Sequence, residues 1–255
     1  MTPDLPDALD AETATTCVVG AGGKKTALYA LASRLGRRAW PVVTATVRIP
    51  IFDPEVAGVV VTEDPAAALE AALDAPDAAD RFPLGLVPER ERDDRYRGYD
   101  PEEVAALADV HDGALLVKAD GARSRWLKAP DECEPQVPEA ADTVVPLASA
   151  RVVGEPLTDE RVHRPERVAA VTDREVGEEI RPEDVAAVLA SDEGGLKRVP
   201  EAATAIPVVN MVDSPELEAT ARDIAAEVLA RAPETVSRVV LTRLVADKPV
   251  VAVVE

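Results

Sequence analysis

The string VVGAGGKKTAL, Val18 to Leu28, has the make-up of a phosphate-binding loop. An apolar run ends in glycines, and a helical pattern starts directly after them. Glycine lets the backbone turn so that several N–H groups converge on phosphate oxygens, and the positive end of the next helix adds to the attraction. Lys24 would carry charge toward the β/γ phosphates, so Gly20, Gly22, Gly23, Lys24, Lys25 and Thr26 are expected to bind nucleotide. The spacing is irregular. Counted back from Gly23-Lys24, the usual first glycine falls on Val18, and the magnesium-holding Ser/Thr slot falls on Lys25. Shifting by one makes Lys25-Thr26 the pair but loses the glycine before the lysine. The competing reading is a strand-to-helix turn with no ligand.

Two strand ends add to this loop. ALLVKAD ends in Asp120, where a magnesium-directing carboxylate sits one strand over from a phosphate loop. The expected metal set is Thr26 or Thr46 with Asp120, and Lys24 and Asp120 are the expected catalytic pair. Lys118 lies inside that strand, where burial is costly without a carboxylate or phosphate partner. IPVVNMVD places Asn210 and Asp213 in the pattern of a guanine-reading Asn-Lys-x-Asp motif, with Met211 in place of the lysine. A plain strand-end turn is the alternative there. Arg123, Arg125, Lys128 and His163 fall on loops, where a surface salt bridge competes with a role beside phosphate. His111 reads as structural. There is no Ser/His/Asp or Cys/His constellation.

The elements that must hold these residues alternate down the chain. Strands are expected at Cys17 to Val19, Val42 to Thr46, Gly58 to Thr62, Ala114 to Ala119, Thr143 to Leu147 and Ile206 to Val212, with two more within Val239 to Val254. Helices are expected at Ala27 to Arg38, after Asp64-Pro65, after Asp100-Pro101, and over Pro215 to Ala232. Residues 1–13 read as a loose acidic leader. Residues 14–255 read as a single P-loop-like α/β domain: a mainly parallel sheet, helices on both faces, and a small helical insertion at about 150–203.

With 255 residues the chain can bury a proper core, but aromatics are only 3% of it, so Ala, Val and Leu must build that core. The net charge is −20, and only six of the 28 cations are lysines. That balance suits a salt-loaded cytoplasm, where self-repulsion is screened, although a merely acidic soluble protein would share it. It argues against binding nucleic acid or an anionic membrane. No apolar run approaches the roughly 20 residues of a membrane span, and the N-terminus lacks the pattern of a signal peptide. Cys17 and Cys133 make no metal spacing. A cytoplasmic location is expected.

The chain resembles the YqeC-like family, described as accessory proteins of selenium-dependent molybdenum hydroxylases. The resemblance runs through VGAGGK (Val19 to Lys24), VVTATVRI, ADGARSRWLKAP (Ala119 to Pro130), Glu134-Pro135, HRPE (His163 to Glu166), GLK (Gly195 to Lys197) and the strand ending at Asn210 to Asp213. It implies a P-loop NTPase fold, here with the charge pattern of a halophilic archaeon. It also implies a GTP- or ATP-binding role in molybdenum hydroxylase or cofactor maturation, with maturation proteins or molybdenum cofactor as partners. The sequence departs from the family pattern at Lys25 (usually Thr), Lys118 (usually Glu) and Met211 (usually Lys), all where magnesium nucleotide would lie. Added positive charge there weakens a metal shell, so Mg2+ is left open. Two functions follow: an NTPase, or a noncatalytic nucleotide-gated module with a degenerate magnesium site. A structural protein with a relic loop is the third.

Overall fold

The computed structural model describes residues 2–232 and 234–255. The first half runs α1 (Leu5–Ala8), β1 (Thr15–Gly20), α2 (Lys24–Leu35), β2 (Val42–Ala45), β3 (Ile49–Pro50), β4 (Gly58–Val61), α3 (Pro65–Leu73), β5 (Leu84–Val87), β6 (Arg95–Tyr96) and α4 (Pro101–Ala108). The second half runs β7 (Leu115–Lys118), β8 (Leu127–Lys128), β9 (Thr143–Ser149), β10 (Val162–His163), α5 (Pro165–Thr172) and α6 (Pro182–Leu189). It ends with β11 (Thr204–Ala205), β12 (Val208–Asn210), α7 (Pro215–Arg231), β13 (Val239–Thr242) and β14 (Val250–Val254).

The main sheet has the order β14-β13-β12-β9-β1-β7-β2-β5-β4, with β11 alongside β9. Its pairs are parallel except β13 with β14. This is the expected α/β architecture with a mainly parallel sheet. The inner strands β1, β2, β7 and β9 are almost wholly buried, because helices cover both faces. Val18 of β1 packs with α1 and α2 on one face, while Cys17 and Val19 pack with α3 and α4 on the other. Helices α5, α6 and α7 gather around β12 and β13 in a further cluster.

Register sets the site. Gly20 pairs with Leu147, Lys118 with Val18 and Ala45, and Asn210 with Ser149. The C-terminal ends of five neighbouring strands therefore finish along one rim. Two small ladders extend that rim: antiparallel β3–β6, and parallel β8–β10 with Leu127 opposite Val162 and Lys128 opposite His163.

Two sequence expectations change. The opening segment is not loose: Leu5, Ala8, Leu9 and Ala11 are buried in the core beside α2, and Asp10 pairs with Arg238 at 2.5 Å. Four small or apolar side chains outweigh the surrounding acids. Strand β5 was not anticipated, since LGLV is short and flanked by Pro83 and Pro88. Its Gly85 is needed because a Cβ would meet the Phe52 ring at 2.7 Å. Between β9 and β12 the chain carries two short helices, α5 and α6, both falling within residues 150–203. No helix among the described residues is long and apolar enough to cross a membrane.

Candidate anion-binding site

The glycine loop between β1 and α2 is docked on the neighbouring strand. Gly20, Gly22 and Gly23 have φ of +85°, +86° and +130°. A Cβ on Gly20 would lie 2.4 Å from the Leu147 carbonyl oxygen, and one on Gly22 would lie 2.7 Å from the Ser149 nitrogen. Glycine is required by conformation and by space together. The loop is then pinned by polar contacts. Ala21 N–H donates to Leu147 at 2.7 Å, Gly22 N–H to Arg125 at 2.9 Å, and Asn210 Nδ2 to the Gly22 carbonyl at 2.8 Å.

Helix α2 starts from this loop without a side-chain cap, and its first turn holds Lys24 and Lys25 but no acid. Cations there oppose the helix dipole, whereas α4 and α7 carry acids in the same place. The start of α2 is thus poorly arranged for isolated helix stability.

Beneath the loop runs a chain of buried charges. Lys24 Nζ lies 2.9 Å from Asp120 Oδ1 and also donates to the Gly20 carbonyl. Asp120 Oδ2 accepts from Gly20 N–H at 2.9 Å and meets Lys128 Nζ at 2.8 Å. Lys128 continues to Glu134 at 2.6 Å, Glu134 to Arg164 at 2.7 Å, and Arg164 to Asp131 at 2.5 Å. Burial by itself would raise the Asp120 carboxyl, but the Lys24 and Lys128 ammoniums outweigh it and hold Asp120 below the usual carboxylate range. Glu134 is likewise held low against burial, by Lys128 and Arg164. Burial lowers the Lys24 amine, with Asp120 pulling the other way.

Above the loop lies an open cleft of about 820 Å³. Lys24, Lys25 and Lys118 line its floor, Arg48 and Arg95 its β3–β6 wall, and Arg123, Arg125 and Arg164 its far side. One carboxylate, Glu134, is among the lining groups. Arg48 and Arg95 pair with Glu91 and Asp94. Among the described residues, no carboxylate forms an ion pair with Lys25, Lys118, Arg123 or Arg125. Lys118 is 6% exposed and donates to the Arg48 carbonyl at 2.9 Å. Burial, with Lys24 nearby, pushes its amine down to about 7. His163 is lowered to about 4 by burial and by Arg164 and Lys128, so it is neutral at pH 7. Arg123 and Ser124 sit side by side at φ +47° and +60°, a strained conformation for non-glycine residues that turns this loop across the cleft.

The expected site residues separate into groups. Gly22, Gly23, Lys24, Lys25 and Thr26 line the cleft together. Gly20 lies beneath them. Asp120 is at the tip of β7, but both its oxygens face cations or N–H donors. Thr46 is buried, its hydroxyl donating to the Gln136 carbonyl at 2.6 Å. Asn210 is buried too. Its Oδ1 accepts from Thr242 at 3.0 Å and from Leu244 N–H at 3.2 Å, so its amide ties three segments together. Asp213 is exposed and pairs with Arg151 at 2.6 Å. Met211, between them at φ +63°, does line the cleft. No group of three His, Cys, Asp or Glu that could hold a metal occurs among the described residues.

Sequence reading did not single out Arg48, Arg95 and Arg164, and it weighted Arg123 and Arg125 toward surface pairs. One signal was available: ARSRWLK packs three cations into seven residues of a strongly acidic chain.

Comparison with known proteins gives the family. No solved structure matches. The chain is similar to the uncharacterized protein YqeC of Escherichia coli strain K12, at 29% identity over 197 residues, covering 76% of this chain and 74% of that one. The family model described as YqeC protein matches residues 16–166, which span the glycine loop, Asp120, Lys128 and Arg164. The chain therefore belongs to the YqeC family.

Proposed function

We propose that the cleft binds a nucleoside triphosphate, GTP or ATP, with its phosphates over Gly22, Gly23 and the first turn of α2. The observation that carries this reading is the group Lys25, Arg123 and Arg125, three cations that among the described residues have no carboxylate partner, with the buried Lys118 amine beside them, facing one cleft of a chain with net charge −20. Such a concentration of like charge is self-repulsive until an anion fills it. The parallel sheet, the glycine loop and the helix start support a P-loop-like role. Met211 offers an apolar contact for a base, while the buried Asn210 amide serves the loop.

A resident magnesium ion does not fit the acids present. Asp120 is enclosed by Lys24, Lys128 and the Gly20 N–H, and Lys25 occupies the position usual for a metal-holding hydroxyl. Binding therefore falls to the chain's own cations, and Arg123 and Arg125 would neutralise phosphate charge directly. This arrangement favours a nucleotide-gated binding module over a hydrolase. Its setting would be cytoplasmic, in molybdenum hydroxylase or cofactor maturation, with a maturation protein as partner.

A phosphate-release assay alongside nucleotide binding separates the two modes. A gated module binds nucleotide with no turnover above the protein-free background. Turnover that disappears in Lys24→Met would establish a hydrolase instead.

A further inference from the structure

Three oxygens converge on the Lys128 ammonium: Asp120 Oδ2 at 2.8 Å, Glu134 Oε2 at 2.6 Å and the Gly121 carbonyl at 2.5 Å. The Lys128 side chain has no exposure at all. Two carboxylates and a backbone carbonyl are the donor set that a hard divalent cation takes. Here an amine reaches in from β8, which is itself held by β10 through the Lys128–His163 register. Charge around the seat is already balanced: Lys24, Lys128 and Arg164 face Asp120, Glu134 and Asp131. An incoming metal ion would have to expel a tethered ammonium, whose local concentration dilution cannot lower. It would then put two positive charges in place of one between Lys24 and Arg164, against Coulomb repulsion from both.

We propose that the Lys128 ammonium is the built-in cation of this site, filling the seat a divalent metal would take, so that the phosphorylated ligand of the cleft is received free of metal. The ligand half of this statement rests on the phosphate reading above. The seat itself does not. Lys128 also fixes Asp120, which holds the Gly20 N–H at the base of the loop. The ligand class is thus a polyphosphate whose charge is met by lysine and arginine alone.

Two measurements test it. Mn2+ titration followed by electron paramagnetic resonance compares wild type, Asp120→Asn and Lys128→Ala, so that loosely held surface ions are subtracted by the Asp120→Asn control. Wild type is expected to show no Asp120-dependent site, and Lys128→Ala is expected to gain one. An Asp120-dependent site in wild type, or a folded Lys128→Ala without one, would overturn the proposal. If Lys128→Ala does not fold, the wild-type comparison decides alone. In the second measurement, ATP and GTP are titrated in excess Mg2+ or in EDTA. Equal affinity in both supports the proposal, and weakening beyond about tenfold in EDTA refutes it. Absence of nucleotide binding under both conditions would sink the nucleotide reading, and the Mn2+ comparison would still judge the seat.

Discussion

Asp120 illustrates how one carboxylate can be read in two ways. At the tip of an apolar strand it has the sequence position of a metal ligand, yet its contacts are two ammoniums and a backbone N–H. Its removal leaves Lys128 and Lys24 buried with less compensation. Asp120→Ala is therefore expected to destabilise the fold by about 3–5 kcal/mol in denaturant unfolding. The pH dependence has a definite sign. Asp120 and Glu134 are held below their unfolded values, so their contribution is complete above about pH 4 and is lost as pH falls through the lower folded values. The acid limb of a stability–pH curve should be shallower in Asp120→Asn than in wild type. Lys25 and Arg123 behave differently because both are exposed and, among the described residues, lack carboxylate partners. Alanine at either is expected to leave the melting temperature unchanged and to weaken nucleotide binding about tenfold or more. The glycine loop was legible from sequence as a strand-to-helix turn, which is where Gly20, Gly22 and Gly23 lie. The role of Asn210 was not: whether its amide meets a base or the Gly22 carbonyl depends on the Asn210–Ser149 register, which sequence does not display.

Among the elements, the loop is a junction between β1, β9 and α2. Gly22 and Gly154 share nearly the same φ, +86° and +84°. A Cβ at Gly22 meets the Ser149 nitrogen at 2.7 Å, whereas one at Gly154 meets nothing within 4 Å. Gly154→Ala should therefore cost only the left-handed backbone penalty, about 1–2 kcal/mol. Gly22→Ala adds a clash with backbone and should cost roughly 1–3 kcal/mol more, measured by the same unfolding assay. Elements were legible where local signals agree. Asp64 caps α3 by accepting from Ala67 N–H at 3.1 Å, and Asp100 N–H donates to Glu103 at 2.7 Å, as the Asp-Pro starts suggest. β5 escaped because a four-residue run between prolines has no periodicity to read. The cleft walls escaped for a related reason: β3, β6, β8 and β10 are two-residue ladders whose partners lie far apart in sequence.

For the whole molecule, charge acts in opposite directions on stability and on binding. The net charge of −20 repels itself, while the cleft concentrates cations against that field. Raising KCl from about 0.1 M to about 1 M shortens the screening length from about 10 Å to about 3 Å. The melting temperature should rise across that range, and affinity for a polyphosphate should fall. Whether the cleft takes nucleotide phosphates is decided by calorimetric titration of GTP and ATP into wild type, Lys25→Ala and Arg123→Ala at one fixed KCl concentration. The expected result is saturable binding at one site per chain, weakened in both variants. A folded wild-type protein that binds neither nucleotide, or one whose affinity is the same in all three proteins, would contradict it.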